Sequence, residues 1–210
     1  MMGLSGMRDY DVRNALCRKV LAEHFRDPAT LVVQELGLWH GDVRVDIAVV
    51  NGRFHGFEIK SDTDTLSRLP AQMIAYNNVF DRVTIVAGTK HIEAIGNTVP
   101  SWWGIKVASS GKRGAVHFDE SRSPRQNPTI NPVSLAAVLW RDELLRALLA
   151  RQIRGVKSKT RLRLAAVLAQ TLSLDELRTV VREALKTRGG WRSDAQRVPD
   201  DGWSLPCAKS

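Results

Sequence analysis

The chain has 210 residues, and 43% of them are hydrophobic, which is typical of an ordinary globular protein. That length allows one good domain with a smaller appendage, which would bury roughly 70% of the unfolded surface. No apolar run approaches the ~20 residues of a membrane span and the N-terminus lacks a signal-peptide core, so neither a membrane protein nor a secreted one is expected. The two cysteines, Cys17 and Cys207, form no disulfide framework, which favours a reducing cytoplasmic compartment.

The formal net charge of +9 is unevenly distributed. Residues 141–197 hold 14 Lys and Arg against 6 Asp and Glu, which accounts for nearly all of the excess. A basic surplus favours polyanions, because neutralising phosphates releases counterions. A solvated charged surface is the alternative, but we expect nucleic acid, most of all DNA, as the partner.

The first half of the chain alternates between helix and strand patterns. A helix is expected from about Asp11 to Phe25, with Asp9 as its cap, and a strand follows over 30–38. A hairpin and a helix over 66–80 come next. Three short apolar segments then read as strands: 82–87, 102–107 and 115–118. This order predicts an α/β fold with a mixed sheet flanked by helices.

The pattern changes after a polar segment, 121–132, that carries three prolines and is typical of a linker. Beyond it the periodicity is helical over 134–152, 158–170 and 173–186. The predicted organisation is an α/β domain, a linker, a small all-helical basic domain and a flexible tail, over residues 1–120, 121–132, 133–190 and 191–210.

Two apolar strands, 43–50 and 53–60, flank Asn51-Gly52, a strong hairpin signal. Asp46 interrupts the first strand, and Glu58 and Lys60 interrupt the second. A two-residue turn would place Asp46 and Glu58 on opposite faces of the sheet. A three-residue loop, or a bulge at Gly56, would instead bring both carboxylates to one face.

Charged groups on such strands cost several kcal/mol to bury unless they are paired. A divalent cation held by Asp46 and Glu58, with the Ile59 carbonyl as a further ligand, would provide that pairing. Hard oxygen ligands suit Mg²⁺ or Mn²⁺. Lys60 lies two residues after Glu58. If the ligand is a phosphate, its ammonium would offset the negative charge and orient a water molecule that attacks the phosphorus. The alternative is a strand carboxylate paired only with a surface arginine.

The pattern acidic-x(11)-Glu-x-Lys on a hairpin resembles the signature of the PD-(D/E)xK nuclease superfamily, although Val45 stands where the superfamily has proline. The resemblance implies a restriction-endonuclease-like fold and phosphodiester hydrolysis. It also implies that a glutamate before the hairpin completes the metal site, and Glu35 is the candidate. A strand-end carboxylate in water is the alternative for Glu35.

Gln72 and Tyr76 lie four residues apart and so share one face of the predicted helix. Their position after Glu-x-Lys is similar to the Gln-x(3)-Tyr motif of the RecB-type branch, whose pair contacts the nucleic-acid backbone and buttresses the site. The resemblance covers roughly residues 8–107. The whole chain also resembles a bacterial family of PD-(D/E)xK-like proteins, through residues 56–62, 68–72, 80–83 and 99–104.

Four basic residues open one of the C-terminal helices: Lys157, Lys159, Arg161 and Arg163. With residues 143–145 before them, the segment faintly resembles a SAP-type helix–loop–helix, which implies substrate binding through the DNA backbone. A solvated basic face remains an equal alternative.

These patterns together predict a metal-dependent nuclease that hydrolyses DNA. An RNA-directed nuclease is the alternative within the same class. A non-catalytic DNA-binding protein that keeps the nuclease fold is the alternative from another class. The intact set of Asp46, Glu58 and Lys60 favours catalysis, because a protein that only binds has no need of all three.

Overall fold

The computed structural model describes residues 7–111 and 114–189, so the tail predicted over 191–210 lies outside the described residues. A six-stranded sheet forms the framework, with its strands in chain order. The strands are β1 (Leu31–Leu38), β2 (Val43–Val50), β3 (Phe54–Lys60), β4 (Arg82–Gly88), β5 (Gly104–Ser110) and β6 (Val116–Arg122). The pairs β3–β4 and β4–β5 are parallel and the others are antiparallel, which confirms the predicted mixed sheet.

The described residues form eight α-helices. These are α1 (Asp9–Lys19), α2 (Ala22–Arg26), α3 (Leu69–Asn77), α4 (Ile92–Thr98), α5 (Pro132–Ala136), α6 (Arg141–Leu149), α7 (Arg161–Thr171) and α8 (Leu174–Thr187). Parallel neighbours need a crossover connection, and α3 and α4 provide it for the β3–β4 and β4–β5 pairs. The α/β fold flanked by helices is therefore confirmed, with further helices at the C-terminal end. No helix in the described part of the chain is long and apolar enough to cross a membrane.

Two predicted helices are each divided in the structure. The first is broken at Leu21, which leaves helical geometry with ψ of 2° and is buried between α1 and α2. Asp9 lies inside the first turn of α1 rather than capping it. The predicted helix over 134–152 is divided into α5 and α6, because Trp140 adopts an extended conformation and donates its N–H to the Glu143 carboxylate, 2.7 Å away.

The hairpin has a three-residue loop, 51–53, because Val50 pairs with Phe54. This is one of the two devices expected to bring Asp46 and Glu58 together, and no bulge is needed at Gly56, which pairs with Ala48. Glycine is required there for another reason. A Cβ atom on Gly56 would lie 2.9 Å from the ring of Phe80.

Strands β1 and β2 change the face that they present to the larger hydrophobic core. Leu31 and Val33 belong to that core, and so do Leu36 and Leu38, although Leu36 is three positions after Val33 and regular alternation would place it on the opposite face. The change occurs across Glu35, whose φ is 55°. On β2 the same change separates Val43 and Val45 from Ala48 and Val50, and Asp46 lies at that point. Glu35 and Asp46 therefore lie where the regular alternation of side chains between the two faces of the sheet is interrupted.

The C-terminal helices share the larger core with the sheet. Leu135, Leu164 and Val181 join the strands in one hydrophobic cluster, while α1 packs against a second cluster on the other face. The segment between β6 and α5 is docked as well. The side-chain amide of Asn127 donates to the carbonyls of Asn77 and Phe80, at 2.7 and 2.8 Å. The division into separate domains stays a prediction, but the connecting segment is not a free spacer.

Candidate active-site cleft

A cleft of about 430 Å³ lies where β2 and β3 diverge. The last residues paired between these strands are Ile47 and Phe57, so Asp46 and Glu58 stand just beyond the pairing. Six of the predicted site residues line the cleft: Glu35, Asp46, Glu58, Ile59, Lys60 and Gln72. The structure thus brings together in space a set that the sequence spreads over 38 residues.

Glu58 is the centre of a buried set of hydrogen bonds. Its Oε1 accepts from Lys60 Nζ and from Gln72 Nε2, both at 2.6 Å. Its Oε2 accepts from the hydroxyl of Tyr76, also at 2.6 Å. Glu58 is 1% exposed and Lys60 is 3% exposed. Gln72 and Tyr76 share one face of α3, as predicted, and both donate hydrogen bonds to the Glu58 carboxylate.

Burial raises the pKa of Glu58 to about 7, and the nearby charge of Asp46 adds to the effect, while the Lys60 ammonium opposes it. The carboxyl group therefore changes its charge near neutral pH. Burial and the adjacent Glu58 carboxylate also raise the pKa of the Tyr76 hydroxyl. Tyr76 consequently remains a hydrogen-bond donor to Glu58 over the whole working range of pH.

Asp46 is held from two sides. Its Oδ2 accepts from the backbone N–H of Ile59 at 2.7 Å, and its Oδ1 accepts from Arg13 Nη2 at 2.6 Å. The Ile59 N–H thus fixes the carboxylate, while the expected metal contact of the Ile59 carbonyl stays a prediction. Arg13, from α1, is not predicted by the sequence patterns. The sequence offers only one indication of this role: Arg13 is a basic residue one helical turn after Asp9, next to the apolar Val12 and Leu16.

Glu35 joins the cleft through the same arginine. It lies opposite Asp46, between the pairs Gln34–Ile47 and Leu36–Val45, and its Oε1 is 3.1 Å from Arg13 Nη1. Burial acts to lower the pKa of Arg13, but the carboxylates around it, led by Asp46, outweigh burial and raise that pKa. Arg13 is therefore permanently charged, and it links two of the predicted metal ligands.

The oxygen donors of the cleft fit a hard divalent cation. In the described residues, no group of three or more His, Cys, Asp and Glu side chains is arranged to hold a metal ion. A carboxylate has about four acceptor positions, so Asp46, which accepts two hydrogen bonds, and Glu58, which accepts three, both keep room for a further partner. Gln72 Oε1 is buried without a hydrogen-bond partner among those residues. Two carboxylates and an unsatisfied amide oxygen suit Mg²⁺ or Mn²⁺ that also retains water.

The four predicted basic residues over 157–163, here called the basic start of α7, do not line the cleft; Lys157 and Lys159 precede the helix, and Arg161 and Arg163 lie in its first turn. Lys157 and Arg163 are exposed, and Lys159 is half-buried. Arg161 donates through Nε to the carbonyl of Leu139 at 2.9 Å, and through Nη2 to the carbonyl of Ala137. Arg161 thus secures the end of α5, and a phosphate would meet chiefly the other three. No acidic residue occurs between residues 144 and 174.

Comparison with known proteins shows that one protein family includes both the cleft and the C-terminal helices. The family described as "Bacteriophage P4 protein cII" matches residues 5–196, which include the cleft and the C-terminal helices. The chain is also similar to "Protein cII" of Enterobacteria phage P4. The two are 29% identical over 182 residues, which cover 87% of this chain and 68% of that protein. No solved structure matches the chain.

Proposed function

We propose that this chain, which belongs to the bacteriophage P4 protein cII family, is a metal-dependent nuclease that hydrolyses phosphodiester bonds in DNA. The name of the family states no chemistry, so the proposal rests on the cleft. As part of it, we assign the mixed sheet to the restriction-endonuclease-like fold of the PD-(D/E)xK superfamily and place the protein in the cytoplasm. Mg²⁺ or Mn²⁺ would be the cofactor.

One observation carries the proposal. Glu58 and Lys60 are buried together at the wall of a cleft that Asp46 also lines. Burying an ion pair is weak as a source of stability, because desolvation offsets most of the attraction. Asp46, Glu58 and Lys60 lie where two strands diverge. A role in binding and activating a substrate explains this arrangement better than a role in stability. Perturbed pKa values in a cleft are typical of such sites.

The residues divide the work of phosphodiester hydrolysis among them. Asp46, Glu58, Glu35 and the Ile59 carbonyl would hold the cation, which when bound lowers the pKa of a water molecule and offsets charge on the phosphate. The ammonium of Lys60 lies at the same wall, where it can orient the attacking water and stabilise negative charge on the phosphate. Gln72 and Tyr76 keep Glu58 in place, which preserves the geometry that the reaction needs.

Arginines at the cleft provide a first contact for a polyanion. Arg44 and Arg68 are exposed and both line the cleft. The basic start of α7 would add a second contact with the nucleic-acid backbone, through Lys157, Lys159 and Arg163. Contacts of this kind read phosphates rather than bases, so we propose binding that depends on salt and little on sequence.

One observation favours a second candidate, a DNA-binding protein without catalysis. Arg13 already neutralises Asp46 and Glu35, which gives these carboxylates a role in folding without any metal. A protein that had lost its chemistry could keep them for that role alone. Glu58 pairs with Lys60 instead, and a buried ion pair adds little net stability, so the nuclease is the preferred proposal.

A cleavage assay distinguishes the candidates. The purified chain is incubated with single-stranded, duplex and branched DNA and with RNA, in Mg²⁺, in Mn²⁺ and in excess chelator. We expect metal-dependent cleavage of DNA that Asp46→Ala, Glu58→Ala and Lys60→Ala each reduce by orders of magnitude, because a few kcal/mol of positioning and electrostatic stabilisation are lost. Glu93→Ala is the matched control, since Glu93 is exposed on α4 and outside the cleft.

Each other result has a defined meaning. Cleavage that survives Glu58→Ala or chelation would point to a contaminant and would refute the proposal. Cleavage of RNA alone would transfer the activity to the RNA-directed alternative. Tight binding to DNA without cleavage in either metal would support the non-catalytic candidate.

A further inference from the structure

One guanidinium group serves three carboxylates at the edge of the cleft. Arg13 Nη2 lies 2.6 Å from Asp46 Oδ1, Nη1 lies 3.1 Å from Glu35 Oε1, and Nε lies 3.3 Å from Asp9 Oδ2. Nη1 also donates to the backbone carbonyl of Asp46 at 3.1 Å. The Arg13 side chain is 11% exposed and that of Asp46 is 19% exposed, whereas Asp9 and Glu35 are 43% and 44% exposed, so the contact with Asp46 is the one best shielded from water.

The strands need a positive charge at this place. Glu35 and Asp46 are opposite each other on antiparallel strands, where like charges are destabilising. Both also lie at the points where their strands change face, and neither belongs to a hydrophobic cluster. Arg13 reaches the two carboxylates from α1, which packs on the other face of the sheet.

We propose that Arg13 is the resident cation of this acidic cluster and that a divalent cation competes with it for Asp46 and Glu35. The inference rests on the proposed function, because it assigns the metal to the same site. Carboxylate oxygens are the ligands that Mg²⁺ and Mn²⁺ prefer. A divalent ion at Asp46 Oδ1 would stand beside the guanidinium that now lies 2.6 Å from that oxygen, and the repulsion between the two cations weakens the bond from Arg13. Arg13 is in this way a residue that sets the affinity of the cleft for its metal.

A purely structural ion pair would share some of these consequences. In both cases, replacing Arg13 leaves carboxylates that repel each other and lowers the stability of the metal-free protein. Only competition predicts a compensating gain, in which the same replacement increases the affinity for the divalent cation. Metal affinity is thus the measurement that separates the two explanations, and it does not depend on catalytic activity.

The experiment uses the full chain and Mn²⁺ as the probe. Mn²⁺ binding is measured by titration calorimetry, and thermal unfolding is measured in chelator and in Mn²⁺, for the wild type, Arg13→Gln, Arg13→Lys and Arg44→Gln. Arg44→Gln is the matched control: it removes the same charge beside Glu35, but its Nε is 4.0 Å from Oε2 and its side chain is 65% exposed. We expect Arg13→Gln to melt at a lower temperature in chelator and to bind Mn²⁺ more tightly by roughly ten- to a hundredfold.

Arg13→Lys should lie between the wild type and Arg13→Gln, because one ammonium cannot bridge three carboxylates. Arg44→Gln should match the wild type in Mn²⁺ affinity and in melting temperature, although its contact with DNA is weakened. If Arg13→Gln is unfolded in chelator, recovery of its fold on addition of Mn²⁺ would support the proposal. Failure to recover, together with an unchanged affinity in Arg13→Lys, would overturn it.

The outcomes also separate this inference from the proposed function. Equal Mn²⁺ affinity in the wild type and Arg13→Gln, with metal-dependent cleavage intact, would reject competition by Arg13 and leave the nuclease proposal standing. If none of the variants binds Mn²⁺ and the wild type does not cleave DNA, both proposals are refuted.

Discussion

Tyr76 donates its hydroxyl hydrogen to Glu58 across 2.6 Å, and this bond joins helix α3 to strand β3 at the cleft. Tyr76 is fully buried and also stacks on Trp103, with ring centroids 6.0 Å apart. The hydrophobic core thus determines where the hydroxyl lies, and the hydroxyl in turn determines where the carboxylate lies. Packing and the geometry of the site are coupled through one side chain.

Replacing Tyr76 with Phe should remove this bond while preserving the packing. We expect the free energy of unfolding to fall by about 1.5–3 kcal/mol, the usual contribution of a hydrogen bond to a charged group. The pKa of Glu58 should rise above about 7, because the Tyr76 bond is one of the interactions that lower it. Urea unfolding at pH 7 and NMR titration of the Glu58 carboxyl group would measure both effects. An unchanged stability and an unchanged titration would mean that the bond is not formed in solution.

Lys60→Met should destabilise the protein by about 3 kcal/mol, because it leaves a buried carboxylate without its cation. The loss is limited because Glu58 can take up a proton. The double variant Glu58→Gln with Lys60→Met should recover most of the stability, since a neutral amide can still accept from Tyr76. Urea midpoints of the single and double variants test this. Additive losses in the double variant would show that Glu58 and Lys60 are not coupled.

The basic start of α7 should provide affinity rather than chemistry. We expect Lys157, Lys159 and Arg163, changed together to Ala, to weaken binding to all DNA sequences alike. The log–log salt slope should also flatten, by up to roughly 0.9 for each phosphate that the variant no longer neutralises. Arg161 is left unchanged, because it secures the carbonyls at the end of α5.

A matched triple variant controls for net charge in that experiment. Arg18, Arg26 and Lys90 are exposed basic residues elsewhere on the protein, and changing them to Ala removes the same charge. DNA binding measured by fluorescence anisotropy at several salt concentrations compares the two variants. Equal loss in both would indicate a general charge effect, and no loss in either would make the α7 segment a solvated face.

His55 should make the protein less stable in acid. Burial, followed by the nearby charge of Arg82, lowers the pKa of His55 from 6.5 to about 3. Between these two values the unfolded chain binds a proton that the folded chain does not, so stability is complete above pH 6.5 and falls as the pH falls towards 3. We expect the loss to be about 1 kcal/mol at pH 5.5.

His55→Gln should remove that loss, because an amide can replace the hydrogen bond to Thr84 Oγ1 without titrating. Urea unfolding of both proteins at pH 7.5 and pH 5.5 provides the measurement. The raised pKa of Glu58 acts in the opposite direction in both proteins and therefore cancels in the comparison. The same decrease in stability for both would show that His55 is already accessible to protons in the fold.

Local patterns were sufficient to predict the hairpin and the Glu58 side of the cleft. The Asn51-Gly52 turn and the spacing of Asp46 and Glu58 limited the loop to a few alternatives, of which the three-residue loop is the observed one. Gln72 and Tyr76 could be placed on one face because helical periodicity requires it. In each case the information lay within a short stretch of chain.

Arg13 and helix α4 could not be predicted in the same way. Arg13 is 33 residues from Asp46, and a contact at that separation depends on how α1 packs on the sheet. The seven residues of α4 include Gly96 and show too few helical turns for a periodic signal. The division of the first helix at Leu21 likewise follows from burial in the tertiary structure.

The change of face in β1 and β2 has a consequence for how this family can diverge. Glu35 and Asp46 contribute no side chain to either hydrophobic cluster, because they lie where the alternation is interrupted. A new residue in place of Glu35, whose side chain is 44% exposed, would change the electrostatics of the cleft but little of the packing, whereas Asp46 also accepts a hydrogen bond from the Ile59 backbone. Glu58 and Lys60, by contrast, are almost completely buried in the wall of the cleft. We therefore expect evolution to explore new chemistry first from the Glu35 side of the cleft, while the Glu58 side stays constrained by the fold.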